Sequence, residues 1–391
     1  MNILFCMNHY PDSRNGGIEN VTRILSEQFV KLGNTVHIRY LFDSKFAHSN
    51  DTIFESCEQI DKKNIGIQIH NAVKLHNIDF VINQGMMQYS PIIKNAISEF
   101  KCQLITAFHG QPTLNPPPIK DTIANPKISI IKKSILLLTY PLFVYRSRKK
   151  QKRRCQKSYY TSDYTVLLSR LHIQEYSKIM DIDTCKLTYF NNPIKDDLIL
   201  QPQDLENKEK TILIVARLSE KEKCIIKSLE IWKQVVKSAP NWKLQIVGSG
   251  PDENILKEYV KKKSIKNVEF YPAQDPTEFY RKASIFLMTS RSEGWGCTLT
   301  EAMRLGCVPV AIGTYTAIND IIDNRENGII IPKSSVCTEI RCCYETISTL
   351  IKERSILNYL AKNAHKKTEK YSAEVIAKQW IKLFEDCLLQ N

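Results

Sequence analysis

The sequence lacks an apolar run long enough to cross a bilayer. Its longest, ILLLTYPLFVY at residues 135–145, falls short of the roughly 20 residues a spanning helix needs. The opening MNILFCMNHY has no basic start, and its apolar run is of strand length, so no secretory leader is expected. The 12 cysteines include no Cys-x-x-Cys pair and no Cys/His cluster at zinc spacing; only Cys342 and Cys343 are adjacent. Disulfide frameworks and cysteine-bound metal are thereby excluded, and reduced thiols in a cytoplasmic protein are expected, most of them small core residues. Acidic residues are in deficit, 41 against 55 basic, for a formal charge of +14 and a pI near 9.1. That balance implies an anionic partner: nucleic acid, a membrane surface or a phosphorylated substrate. The aromatic-rich basic motifs and modules of nucleic-acid-binding proteins are missing, which argues against the first.

What is present is an alternation of strands and helices. The 391 residues, 43% hydrophobic and 25% charged, suit a soluble protein with two or three domains. NILFCM (residues 2–7) reads as a buried strand and HYPDSRNGG as a loop. The next stretch, 18–33, is a helix with Val21, Ile24, Leu25, Phe29 and Leu32 on one face and Gly33 as its stop. TVHIRYLF (35–42) is the following strand. Strand, loop, helix and strand make a βαβ unit and imply a parallel sheet. Further strands are expected at 79–83, 103–110, 164–169 and 186–193. A polar break at 194–210 reads as a linker. The alternation then restarts with strands at TILIVARL (211–218), WKLQIV, NVEFYP, ASIFLMTS, CVPVAIG and NGIIIP, and residues 334–389 are helical in pattern. Expected boundaries are 1–195, 196–370 and a C-terminal helix at 371–391 that packs back toward the first domain.

Open parallel sheets bind ligands at the carboxyl ends of their strands, and the chemistry-bearing residues fall in those loops. Gly16 and Gly17 precede the first helix, where backbone can approach a ligand and helix-start N–H groups favour phosphate. The alternative is an ordinary loop pair. His109 ends an apolar strand, placed for hydrogen bonding or acid–base work, or for a structural turn. Arg217 ends a strand, with Lys221 and Lys223 following. A guanidinium fork and an ammonium suit a diphosphate, although solvated basic loops are common. Gly248 and Gly250 in GSGPD allow close backbone approach. Asp181-x-Asp183 follows a helical stretch and is not read as a metal site. Glu293 lies in the exit loop of a buried strand, suited to accept from sugar hydroxyls, and Glu301 lies in the next helix.

Any chain produces a pair of glutamates at that spacing by chance. The order strand, Glu-Gly-aromatic-Gly, helix, Glu-Ala-Met, Gly, x-Pro-Val is far more restrictive. EGWGCTLTEAMRLGCVPV, with Gly16-Gly17, His109, NNP (191–193), ARL…K and VGSGPD in that order, resembles the retaining family-4 glycosyltransferases (glycosyl transferases group 1) of GT-B fold. The resemblance covers most of the chain and is strongest from 211 to 332. It implies an α/β protein of two Rossmann-like domains with parallel sheets facing across a cleft, the first for acceptor and the second for nucleotide sugar. It also implies roles. Arg217 and Lys223, with Lys221 as rival, hold the diphosphate of a UDP- or GDP-sugar and stabilise the departing charge. Glu301 binds the ribose. Glu293 and the following backbone, from Gly294 through Trp295, Gly296, Cys297 and Thr298, hold the donor. Gly248 and Gly250 approach it, Gly16 and Gly17 approach its diphosphate, and His109 supports the reaction centre. No metal or other cofactor is implied. Cys224 stands where the family usually has glycine, and Pro272 replaces a frequent glycine near the presumed base pocket.

Residues 127–157 combine an apolar stretch with RSRKKQKRRCQK. They resemble a surface-lying anchor for an anionic membrane, or a solvated helix packed on its domain. The expectation is a cytoplasmic hexosyltransferase, peripheral on the inner face of the plasma membrane. It would act on a glycan or lipid-linked acceptor in bacterial-type surface polysaccharide synthesis. The competing readings are a relative that binds nucleotide sugar without transferring it, epimerase-like or inactive, and a basic nucleic-acid-binding protein.

Overall fold

A computed structural model describes residues 1–12, 14, 16–44, 52–114 and 129–389. The chain forms two compact units, Met1–Tyr189 and Phe190–Asn391. The first holds β1 (Asn2–His9), β2 (Thr35–Phe42), β3 (Ser56–Gln59), β4 (Phe80–Gln84), β5 (Gln103–Ala107), β6 (Tyr164–Leu167) and β7 (Leu187–Tyr189). The second holds β8 (Glu209–Val215), β9 (Lys243–Val247), β10 (Val268–Tyr271), β11 (Ala283–Met288), β12 (Val308–Gly313) and β13 (Ile329–Pro332).

In the first unit the seven strands run parallel in the order β3-β2-β1-β4-β5-β6-β7. The order reverses between β1 and β4, the switch point where open α/β sheets leave a crevice. Successive side chains on a strand point to opposite faces. Phe5 therefore stacks on Phe29 of the helix Gly17–Lys31, with ring centroids 6.1 Å apart. Leu4 and Cys6 pack with Ile69 and Val73 of the helix Ile65–His76. Gly33, at φ 79°, ends the first helix as expected. The edge strand β3 was not expected, because SCEQ carries no apolar alternation.

The 32-residue helix Ile130–Thr161 is anchored at its C-terminal end, where Cys155 and Tyr159 join Leu167, Tyr176 and Met180 in a small core. Lys127, the start of the expected anchor, lies outside the described residues. Asp183 accepts a hydrogen bond from the Tyr159 hydroxyl at 2.5 Å and another from the Cys185 N–H at 2.9 Å. The Cys185 thiol, followed by these two bonds, holds its carboxyl down at about 2, and the Cys185 N–H bond gives it a turn-forming role.

The second unit repeats the plan with six parallel strands, β10-β9-β8-β11-β12-β13. Leu229, Trp232 and Val235 of the helix Ile225–Ser238 cover one face with Leu244, Ile246, Ile285 and Val310. The helices Val336–Lys352 and Arg354–Lys367 extend the same core through Cys343, Ile347, Leu357 and Leu360. In the last helix, Ala373–Leu389, Trp380 lies 4.9 Å from the ring of Phe190, and Ile194 bridges to Ser372. The polar break is not featureless: it contains a short helix, Pro202–Glu206.

Candidate functional site

In the second unit the loops after β8, β9 and β11 are bound to one another, and that fixes the site. Glycine makes the first contact possible. Gly248 sits at φ 146°, and a β-carbon there would fall 1.9 Å from the Ala216 carbonyl oxygen; one on Gly250 would fall 2.4 Å from that of Leu218. With bare backbone, Leu218 N–H donates to Ser249 O at 3.0 Å and Asp252 N–H to Leu218 O at 3.1 Å. These glycines thus have a reason within the chain itself. The Asp252 carboxylate accepts from Glu220 N–H at 2.7 Å. From the other side, Thr289 Oγ1 lies 3.0 Å from the Cys224 carbonyl and 2.7 Å from Ser228 Oγ, and Arg291 N–H donates to Glu222 O.

Held this way, Lys223 Nζ donates to Glu293 Oε1 at 2.6 Å. Both are mostly shielded from solvent and border a cavity of ≈ 20 Å³ with Thr298, Ala216 and Met288, beside the carboxyl ends of β8 and β11. Lys221 is exposed on the same short turn, and Arg217 is exposed just beyond β8. Cys224 adopts φ 50°, ψ 46°, the left-handed region where a β-carbon costs about 1–2 kcal/mol and glycine does not. That is the physical reason for the glycine this position resembles.

Gly296 starts the helix Cys297–Arg304 at φ 102°, 2.8 Å by its missing β-carbon from the Tyr315 hydroxyl. One turn in, Glu301 accepts from the Tyr280 hydroxyl at 3.1 Å, and burial pushes its carboxyl up. Cys297 accepts from the Asn192 amide at 3.3 Å, so NNP meets the first turn of this helix; burial raises the thiol to about 12. Trp295 is expected to meet the donor through its backbone. Its ring is 1% exposed and packs edge-on against Tyr371 at 5.2 Å, so its backbone, not its indole, remains for a ligand.

In the first unit, Gly16 has extended backbone at φ 167°, and a β-carbon on Gly17 would meet nothing within 4 Å. A β-carbon on Gly16 would fall 2.8 Å from the Glu19 carboxylate, the far end of a side chain, so only Gly17 is free of a close neighbour. The Glu19 carboxylate folds back onto its own N–H in the first turn, and burial raises its pKa. His109 follows β5 and is held by Gln84; burial lowers its pKa to about 4, so the ring is neutral. Gln84 was missed because the strand expected there stopped at Asn83. Among the described residues no cluster of three or more His, Cys, Asp or Glu could hold a metal ion.

Residues 196–367 match the family glycosyl transferases group 1. The second unit belongs to that family. The chain is also similar to curated proteins. It is 29% identical over 194 residues to the alpha-monoglucosyldiacylglycerol synthase of Acholeplasma laidlawii, covering 48% of this chain and 46% of that protein. It is 28% identical over 175 residues to the capsular polysaccharide biosynthesis glycosyltransferase CapM of Staphylococcus aureus, covering 44% and 45%. The chain spans about half, or less, of the length of the curated relatives it matches. The likeness of fold extends over the whole chain. The pneumococcal O-GlcNAc transferase GtfA, solved with UDP and GlcNAc, matches with a TM-score of 0.76 at 13% identity over 99% of each chain. Anabaena HepE, solved with UDP, matches with 0.74 at 13% identity over 99% of this chain and 100% of its own. The fold is GT-B, two Rossmann-like units, as the motif order implied.

Proposed function

We propose that the protein is a retaining, metal-independent hexosyltransferase. It would move a hexose from a UDP- or GDP-sugar to a glycan or lipid-linked acceptor in assembly of bacterial-type surface polysaccharide: capsule, O-antigen or lipopolysaccharide. The observation that carries this is the Lys223–Glu293 pair at 2.6 Å, beside the carboxyl ends of β8 and β11, with Arg217 exposed just past β8 and Glu301 in the helix that follows Glu293. Cleaving a sugar–phosphate bond develops positive charge on the ring and negative charge on the leaving diphosphate. Lys223, held by Glu293, is a fixed cation for the diphosphate, and the exposed Arg217 supplies a second cation that closes on it. Glu293 and the N–H groups of residues 294–298 take the sugar hydroxyls, and Glu301 takes the ribose. HepE was solved with UDP and with UDP-glucose, which supports a nucleotide-sugar donor.

Donor hydrolysis followed by proton NMR tests retention without knowing the acceptor. An α-linked donor is expected to release the α-anomer first. Release of the β-anomer would reject a retaining mechanism.

The helix Ile130–Thr161 supports peripheral attachment to the inner, cytoplasmic face of an anionic membrane. Leu137, Leu138, Leu142 and Tyr145 are exposed, Leu138 by 84%. At 3.6 residues per turn they share an arc of roughly 160° with the exposed Arg148, Lys149 and Arg153 that follow. One side of the helix thus passes from apolar to cationic along its length, as an interface between acyl chains and anionic headgroups requires. No helix among the described residues is long and apolar enough to cross a membrane. Vesicles containing phosphatidylglycerol are expected to sediment the protein at low salt and release it at high salt. Equal binding to neutral vesicles, or no binding, would contradict the attachment.

A further inference from the structure

Gln84 is the last residue of β4, beside the switch point of the first sheet. It pairs in register with Met7 of β1 and Ala107 of β5. Its backbone is fixed from the residues around it. Asn83, fully buried, donates to the Met86 carbonyl at 3.1 Å and accepts from Met86 N–H at 2.9 Å. That closes a turn in which Gly85 sits at φ 79° and accepts from the Asn8 amide at 3.2 Å. Side chains alternate along a strand, so Asn83 builds the turn and Gln84 faces the other way. The Gln84 side chain is 1% exposed, and its Oε1 is hydrogen-bonded to His109 Nε2. Its own Nε2 has no partner among the described residues. A buried amide donor without a partner destabilises the fold, a cost that a ligand oxygen would remove.

An amide oxygen only accepts, so the His109 nitrogen facing it carries the proton. The ring is neutral, so Nδ1 keeps its lone pair. We propose that Gln84 is a positioning residue that locks His109 as the Nε2–H tautomer. Its own Nε2–H makes, with His109 Nδ1, a donor and an acceptor for a hydroxyl-bearing ligand at the carboxyl ends of β4 and β5. The identity of that ligand as a sugar rests on the glycosyltransferase reading; the tautomer does not.

Imidazole ¹⁵N NMR of the full chain tests this, with His109→Gln assigning the resonance. The wild type is expected to show His109 as a single Nε2–H tautomer that stays neutral down to about pH 4. Gln84→Glu keeps an acceptor oxygen and adds a negative charge, so the same tautomer should persist and the imidazolium should survive to higher pH. Gln84→Leu should lose the tautomer preference and lower kcat for hydrolysis of the donor sugar about 100-fold, the scale of a misplaced group. An Nδ1–H tautomer in the wild type, or an unchanged tautomer in Gln84→Leu, would overturn the proposal. If the wild type cleaves no nucleotide sugar, the functional reading fails, and the imidazole spectra still decide the role of Gln84.

Discussion

Arg217→Ala is expected to lower kcat for donor-sugar cleavage by roughly 10²–10³-fold, the usual cost of removing one fixed charge or donor from a developing anion. The same change should leave stability within about 0.5 kcal/mol of the parent, as for surface substitutions away from structural features. The structure explains the separation. Arg217 is exposed just past β8, and its guanidinium makes no hydrogen bond or ion pair among the described residues. Nothing in the fold depends on it, whereas its strand end lies beside the Lys223–Glu293 pair. Arg217→Lys keeps the charge and loses the planar fork, so an intermediate loss is expected. Paired measurements of kcat and thermal midpoint check both halves. Full activity in Arg217→Ala would remove it from the diphosphate role.

Gly248→Ala should act in the opposite way, through the fold. Its β-carbon would stand 1.9 Å from a backbone oxygen, at φ 146°. The clash is with main chain that also hydrogen-bonds to the neighbouring loop, so no side chain can swing aside. The loss should exceed about 3 kcal/mol, the scale of stored backbone strain together with a broken loop contact. Urea denaturation measures it. Gly17→Ala is the contrast: with nothing within 4 Å of the new carbon, stability should hold or rise, since alanine is the better helix former by about 1 kcal/mol. A Gly248→Ala protein as stable as its parent would show that the loops after β8 and β9 are not held as described.

The contrast between these glycines shows what the sequence makes legible. Both pairs read as places for close ligand approach. Only geometry separates Gly248 and Gly250, which a neighbouring carbonyl requires, from Gly17, which nothing crowds, and Gly16, which only the Glu19 side chain crowds. The alternation of strand and helix was readable because each buried strand is an apolar run and each helix has one apolar face. β3 escaped because an edge strand need not be apolar. Gln84 escaped because a polar residue at a strand's end looks like loop. The ion pair between Lys223 and Glu293 joins residues from different loops, and no local pattern encodes it. For Trp295, an aromatic identity does not say whether its ring faces a ligand or, as here, Tyr371.

Nucleotide binding at the second unit is the central claim, and thermal unfolding with UDP, GDP or ADP in the presence of EDTA tests it most directly, beside Glu301→Ala. A ligand bound only by the folded state adds roughly 2.7 kcal/mol at a hundredfold excess over its dissociation constant. The account predicts stabilisation by one of the three despite the chelator, and its loss in Glu301→Ala. No stabilisation of the folded wild type by any of them, or equal stabilisation of Glu301→Ala, would contradict it.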